Sequence, residues 1–149
     1  MARAHLEEAR RAEKEIDVER PTVRNNFAWL LRAEGDKDSA RALFEQTLRE
    51  CRRQGDTTRA AFAVLGLACL AGDRELCHDA AVLHGMADVR FERMAQPYLD
   101  PEARYRSESI ERVANHLGKE EFGRIYAEGK GRGPDEALEV ALGKVVVVT

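Results

Sequence analysis

The dipeptide Gly-Asp occurs at Gly35-Asp36, Gly55-Asp56 and Gly72-Asp73, and this repeated punctuation limits the possible folds more than any other feature of the chain. Around these marks apolar residues recur at spacings of three and four, the period of a helix buried along one face. Glycine takes the left-handed conformation that ends a helix, and an aspartate after it caps the next helix with a side-chain oxygen. A chain that turns on so few residues has no length for a wide crossing. The pattern therefore predicts antiparallel helical hairpins.

Phe27, Ala28, Leu30 and Leu31 mark the apolar face of one helix, and Ala40, Leu43, Phe44, Thr47, Leu48 and Cys51 that of the next. From Ala60 to Leu70 the sequence is apolar almost all round, so this helix is expected in the middle of the array. The helix after Asp73 should run to about Met94 and stop before Pro97. Asp100-Pro101-Glu102 reads as a helix start, with Asp100 as cap and Pro101 in the first turn, where its missing N–H costs nothing. That helix is expected to run to Leu117 and end at Gly118. Shorter helices are predicted from Lys119 to Glu128 and from Pro134 to Leu142. At the front, Ala2 to Asp17 reads as an exposed helix with a narrow stripe of Leu6, Ala9, Ala12 and Ile16. Val145-Val146-Val147-Val148 fits none of this; a frayed end, an edge strand and the start of a further segment all stay open.

A chain of 149 residues, 44% hydrophobic and 34% charged, suits one globular domain. A formal net charge of -3 argues against general nucleic-acid binding, which needs a basic surface. No apolar run is long enough to span a bilayer, and Met1-Ala2-Arg3-Ala4-His5 lacks a signal-peptide core. Cys51, Cys69 and Cys77 sit in apolar helical stretches and read as small buried hydrophobes in a reducing, cytoplasmic setting.

The segment from Pro21 to Arg53 resembles a tetratricopeptide repeat: Asn26, Phe27 and Ala28 match its packed first helix, Gly35-Asp36 its turn, and Ala40, Phe44 and Leu48 its second helix. Thr58 to about Val89 resembles a second, more divergent repeat, with Gly72-Asp73 at the turn and Cys77 where a small alanine is usual. These turns lie 72 − 35 = 37 residues apart, against about 34 for the repeat. Ala80-Ala81-Val82-Leu83-His84-Gly85-Met86-Ala87, then Tyr105, Ile110, Leu117-Gly118, Phe122, Tyr126-Ala127-Glu128-Gly129 and Glu136-Ala137-Leu138, follow one order and spacing. They resemble the C-terminal helical-repeat segment of bacterial LuxR-type and related signal-transduction ATPase regulators. The resemblance implies an all-α fold: an α-α superhelix of about eight helices in one domain. Residues 1–20 would be a leading helix, 21–56 and 57–96 two repeats, 97–143 a helical extension and 144–149 a tail. The chain carries neither a Gly-x-x-x-x-Gly-Lys phosphate loop nor a complete helix-turn-helix, so ATPase and DNA-binding activity do not transfer to it.

Readings that imply chemistry are outweighed by plainer ones. Cys77-His78 with His84 could suggest a metal, but adjacent residues diverge around a helix and nothing completes a tetrahedron. Ser39, Ser107 and Ser109 fall on charged helix faces without a glycine elbow, and Glu7, Glu8, Glu120 and Glu121 are ordinary solvated carboxylates. A helix-turn-helix over Ile110 to Tyr126 would present Glu120 and Glu121 to phosphates, the wrong sign. Gly129-Lys130-Gly131-Arg132-Gly133 could cradle an anion but reads as an inter-helix loop. No enzymatic activity, cofactor or metal is expected.

The register of the resemblance points Thr22, Asn25, Trp29 and Arg32 into a concave groove, joined by Arg59 and Phe62 from the second repeat. A tryptophan beside an arginine is the pair enriched in binding hot spots. The competing reading packs Trp29 beneath the leading helix or the C-terminal extension. The expected function is a non-catalytic protein–protein interaction module, docking a protein or peptide segment without contacting nucleic acid or membrane. Small-ligand sensing and homodimerisation, through the first helix's stripe or the valine tail, are the alternatives.

Overall fold

The computed structural model of the chain describes residues 21–95, 97–132 and 136–142. The expected helix from Ala2 to Asp17, the Gly133-Pro134 junction and the Val145–Val148 tail lie outside them. Among the described residues the fold is all-helical, with no strand: α1 (Pro21–Ala33), α2 (Lys37–Gln54), α3 (Thr57–Asp73), α4 (Cys77–Arg93), α5 (Glu102–Leu117), α6 (Lys119–Lys130) and α7 (Ala137–Ala141).

Two of the three Gly-Asp pairs turn the chain as expected. Gly35 and Gly55 have φ of 91° and 70°. Asp36 then accepts the Ser39 N–H at 3.2 Å and Asp56 the Arg59 N–H at 3.1 Å, capping α2 and α3. Gly72-Asp73 is different: α3 runs straight through it, and the left-handed residue is Glu75, with φ 61°. Gly72 is used for close approach instead, because a Cβ there would lie 3.2 Å from both Ser109 Oγ and Val113 Cγ2 of α5. Asp73 receives Arg32 rather than capping a helix.

Before α5 the positive-φ residues are thus Gly35, Gly55, Glu75 and Ala95, each twenty positions after the last, and Gly118 beyond them, with φ 88°, does not continue the interval. In the first three turns the next residue's N–H reaches back to a carbonyl five positions earlier, Asp36 to Leu31, Asp56 to Cys51 and Leu76 to Ala71, each at 2.9 Å. This is the bond that closes a helix around a left-handed residue. From Gly35 to Glu75 one hairpin takes forty residues, not the 37 that the Gly-Asp spacing suggested.

Helix α3 lies in the middle, as its composition predicted, against α1, α2, α4, α5 and α7. Ala61, Ala63, Val64, Leu65, Ala68 and Cys69 on it are fully buried. Gly66 admits the Phe44 ring from α2, which a Cβ would strike. Helices α4 and α6 meet backbone to backbone. A Cβ on Gly85 would collide with the Tyr126 carbonyl oxygen, and one on Gly129 with that of Val82. These two glycines let the helices approach more closely than side chains allow. Arg24, almost wholly buried, ties α1 to α2 by an ion pair to Glu50 at 2.8 Å.

The α5 start also differs from expectation. Pro101, not Asp100, holds the capping position, and no side chain caps the helix. Helix α5 then crosses α3 and α4, while α6 makes the more extensive packing against α4. Among the described residues no helix is long and apolar enough to cross a membrane.

Candidate interaction cleft between α1 and α3

The periodicity of α1 sets Thr22, Asn25, Asn26 and Trp29 toward α3, which answers with Thr58, Arg59 and Phe62. Between the two helices, closed at one side by Glu102 from the first turn of α5, lies a cleft of about 380 Å³. Its walls mix two aromatic rings with amides, hydroxyls and one charge of each sign. Six of its eight lining residues are polar or charged, and Trp29 and Phe62 supply the aromatic surface.

The polar groups are unequally satisfied. Arg59 Nε donates to Thr22 Oγ1 at 3.1 Å and Nη1 to Asp56 Oδ2 at 2.8 Å, so the cleft's arginine is tied to the cap of its own helix. Those Arg59 bonds hold the Asp56 carboxyl below the usual carboxylate range, outweighing the opposing effect of partial burial. Asn25 is 6% exposed, and its Oδ1 is buried with no hydrogen-bond partner. A buried acceptor left unpaired costs about 1–3 kcal/mol. Half-buried Glu102 has no ion pair or hydrogen bond among the described residues.

Five of the six residues expected in a groove, Thr22, Asn25, Trp29, Arg59 and Phe62, line this cleft, and Arg32 does not. Arg32 grips Asp73 through Nε at 2.7 Å and Nη2 at 2.9 Å, and Arg112 of α5 joins the same carboxylate at 3.1 Å. Trp29 is not an exposed anchor. It is 7% exposed, stacked on Tyr105 of α5 with centroids 4.7 Å apart and set edge-on to Phe44 at 5.1 Å. The packing of Trp29 beneath the C-terminal extension is therefore what the structure shows, and the residue offers the cleft only a margin. Arg41 on α2 is engaged too, bonding Glu45 and the Ala141 carbonyl.

The sequence reading missed a second polar centre. Asp88 on α4 accepts from Tyr98 Oη and Tyr126 Oη, each at 2.5 Å, and from Arg106 Nε and Nη2 at 2.8 and 2.6 Å. Burial alone would raise the Asp88 carboxyl, but the bonds from Arg106 and both tyrosines outweigh it and hold the group below its ordinary value. A carboxylate directly after the mostly apolar run from Ala80 to Ala87 was the available signal. Close by, Ser109 is buried against His84, Oγ to Nε2 at 2.8 Å, and is not on a charged outer face as the sequence suggested.

This Ser109–His84 pair is not presented to solvent, and burial pushes the imidazole down to about 4. Burial also pushes the Cys51 thiol up to about 11 and Cys69 up to about 12, so both stay protonated and unreactive near neutrality. Cys77 is buried and His78 exposed. No group of three or more metal-ligating side chains is gathered among the described residues. In the glycine-rich segment, Lys130 pairs with Glu92, and Arg132 with Glu128 and Glu136, so both cations already hold carboxylates. Comparison with known proteins found no matching family model, no matching curated protein and no matching solved structure.

Proposed function

We propose that this chain is a non-catalytic interaction module, an α-α superhelix of tetratricopeptide type, that docks an extended protein segment in the cleft between α1 and α3. The observation that carries the reading is the buried Asn25 carboxamide, whose oxygen lacks a partner at the edge of an open, aromatic-walled cleft. A side-chain amide offers an acceptor and two donors, the complement of a peptide backbone N–H and C=O. An extended segment would cover Phe62 and the margin of Trp29, and would satisfy the Asn25 oxygen once that buried side chain turns toward the cleft. The repeat reading is supported by turns recurring every twenty residues with one bonding pattern. Non-catalysis is supported by the raised thiols and the burial of the Ser109–His84 pair. By its resemblance, the module belongs in a bacterial transcriptional or signalling regulator.

The volume of the cleft also falls in the range of small-molecule sites, which favours ligand sensing as the second reading. Panning a displayed random-peptide library over the immobilised protein separates the two. Docking predicts enriched peptides whose binding is lost in Asn25→Ala and in Phe62→Ala, both still helical by circular dichroism. Enrichment that survives both changes would move the site elsewhere. No enrichment, with a metabolite that raises the melting temperature of wild type but not of Phe62→Ala, would replace the peptide with a small ligand.

A further inference from the structure

The charges around the cleft do not balance, and the imbalance has a sign. Among its lining residues Arg59 supplies the positive charge and Glu102 the negative. Arg59 is already neutralised, its guanidinium 2.8 Å from the Asp56 carboxylate with a further bond to Thr22. Glu102 is half-buried and has no cationic partner among the described residues. Of the neighbouring arginines of α5, Arg106 is held by Asp88 and Arg112 by Asp73, while Arg104 is largely exposed and lies 3.7 Å from Glu108. Once the internal pairs are matched, the cleft holds one carboxylate with no ion-pair partner, favoured only by its place in the first turn of α5, beside one orphaned amide oxygen. Both are acceptors.

We propose that the docked segment places a lysine or arginine side chain in this cleft, with its charge against Glu102 and its aliphatic stem along Phe62. This rests on the peptide-docking reading and adds the chemical class of the recognised residue. Three effects favour a cation over an anion. A charge-assisted bond to a half-buried carboxylate is stronger than a neutral one and satisfies a group that the fold leaves unpaired. The methylene stem of a lysine or arginine can cover aromatic surface while its head stays at the polar rim. The chain's formal net charge of -3 steers basic segments toward it and acidic ones away. A bound carboxylate, by contrast, would meet Glu102 directly and would have to pull Arg59 off Asp56.

The test uses a reporter already in place, because Trp29 is the chain's only tryptophan and lines the cleft. Capped decapeptide pools with the central residue fixed as arginine, lysine, glutamate or glutamine are titrated against the full chain while Trp29 fluorescence is followed. The proposal expects saturable changes with the arginine and lysine pools only, weakening as salt rises. Glu102→Gln should lower that affinity about tenfold, and Glu102→Lys should switch the preference to the glutamate pool. Equal response to the glutamine or glutamate pool in wild type, or unchanged basic-pool affinity in Glu102→Gln, overturns the charge assignment while leaving peptide docking standing. Silence from every pool overturns both.

Discussion

Around Asp88 two tyrosine hydroxyls and a forked arginine converge on a single carboxylate; around Asn25 a buried carboxamide oxygen meets no donor at all. Both places are built from the same materials, aromatic rings, an arginine and a polar group set into a helix that faces the core. The α4–α6 side closes on itself, down to the backbone contact at Gly85 and Gly129. The α1–α3 side keeps an open cleft, in which Glu102 has no ion pair and Asn25 Oδ1 no hydrogen bond. Unpartnered buried atoms are not confined to the open side, since His84 Nδ1 and Arg132 Nε also lack a hydrogen-bond partner. What sets Asn25 apart is its place on an open cleft. On the proposed reading the Asp88 cluster holds the fold while the cleft meets a partner. That proposed separation of stability from recognition can be broken residue by residue.

The largest effect is expected at the closed side. Asp88→Ala strips three partners of their common acceptor, two of them hydroxyls and the third a partly buried guanidinium, and should cost about 3–4 kcal/mol in urea unfolding. A loss under 1 kcal/mol would mean the cluster is ornamental. Next comes pH. The unfolded chain protonates His84 near pH 6.5, while the folded chain resists until about 4, so the unfolded state binds more protons between those values. Stability should therefore fall as pH drops from 6.5 to 4, by about 3 kcal/mol, and His84→Gln should flatten that slope. Asp88, with its carboxyl held low by Arg106 and the tyrosines, adds a further loss only as pH falls below 3.8.

Gly129→Ala should cost about 1–3 kcal/mol, since the new methyl group meets the Val82 backbone, which cannot yield as a side chain would. Chemical denaturation reads this directly, and a silent substitution would show that α4 and α6 are not in backbone contact. The smallest effect belongs to the open side. Glu102→Gln, which removes a charge with no internal partner, should shift stability by less than about 0.5 kcal/mol in the same assay. A larger loss would show that Glu102 holds the fold after all.

The helices and most of the cleft were legible because both follow from periodicity. Thr22, Asn25 and Trp29 share a face by their spacing, as do Arg59 and Phe62, and packing one helix on the next brings the two sets together. Glu102 was not legible, since its place depends on how the 97–101 connection aims α5. The third and fourth turns were hidden because Glu75 and Ala95 occupy a conformation that the sequence rules assign to glycine. The twenty-residue interval from Gly35 to Gly55 projects to both positions and was the signal to follow. The surroundings of Trp29 stayed open for a related reason. Helical register fixes the direction in which a side chain points but not what another helix lays over it, and α5 carries Tyr105 onto the ring.

The most direct test of the account measures stability and binding together in one variant, Asn25→Ala. If the carboxamide serves recognition, the variant should unfold within about 1 kcal/mol of wild type, because no internal hydrogen bond is lost, yet fail to bind the peptides that wild type enriches. A variant that is destabilised as severely as Asp88→Ala, or that binds those peptides as wild type does, would contradict it.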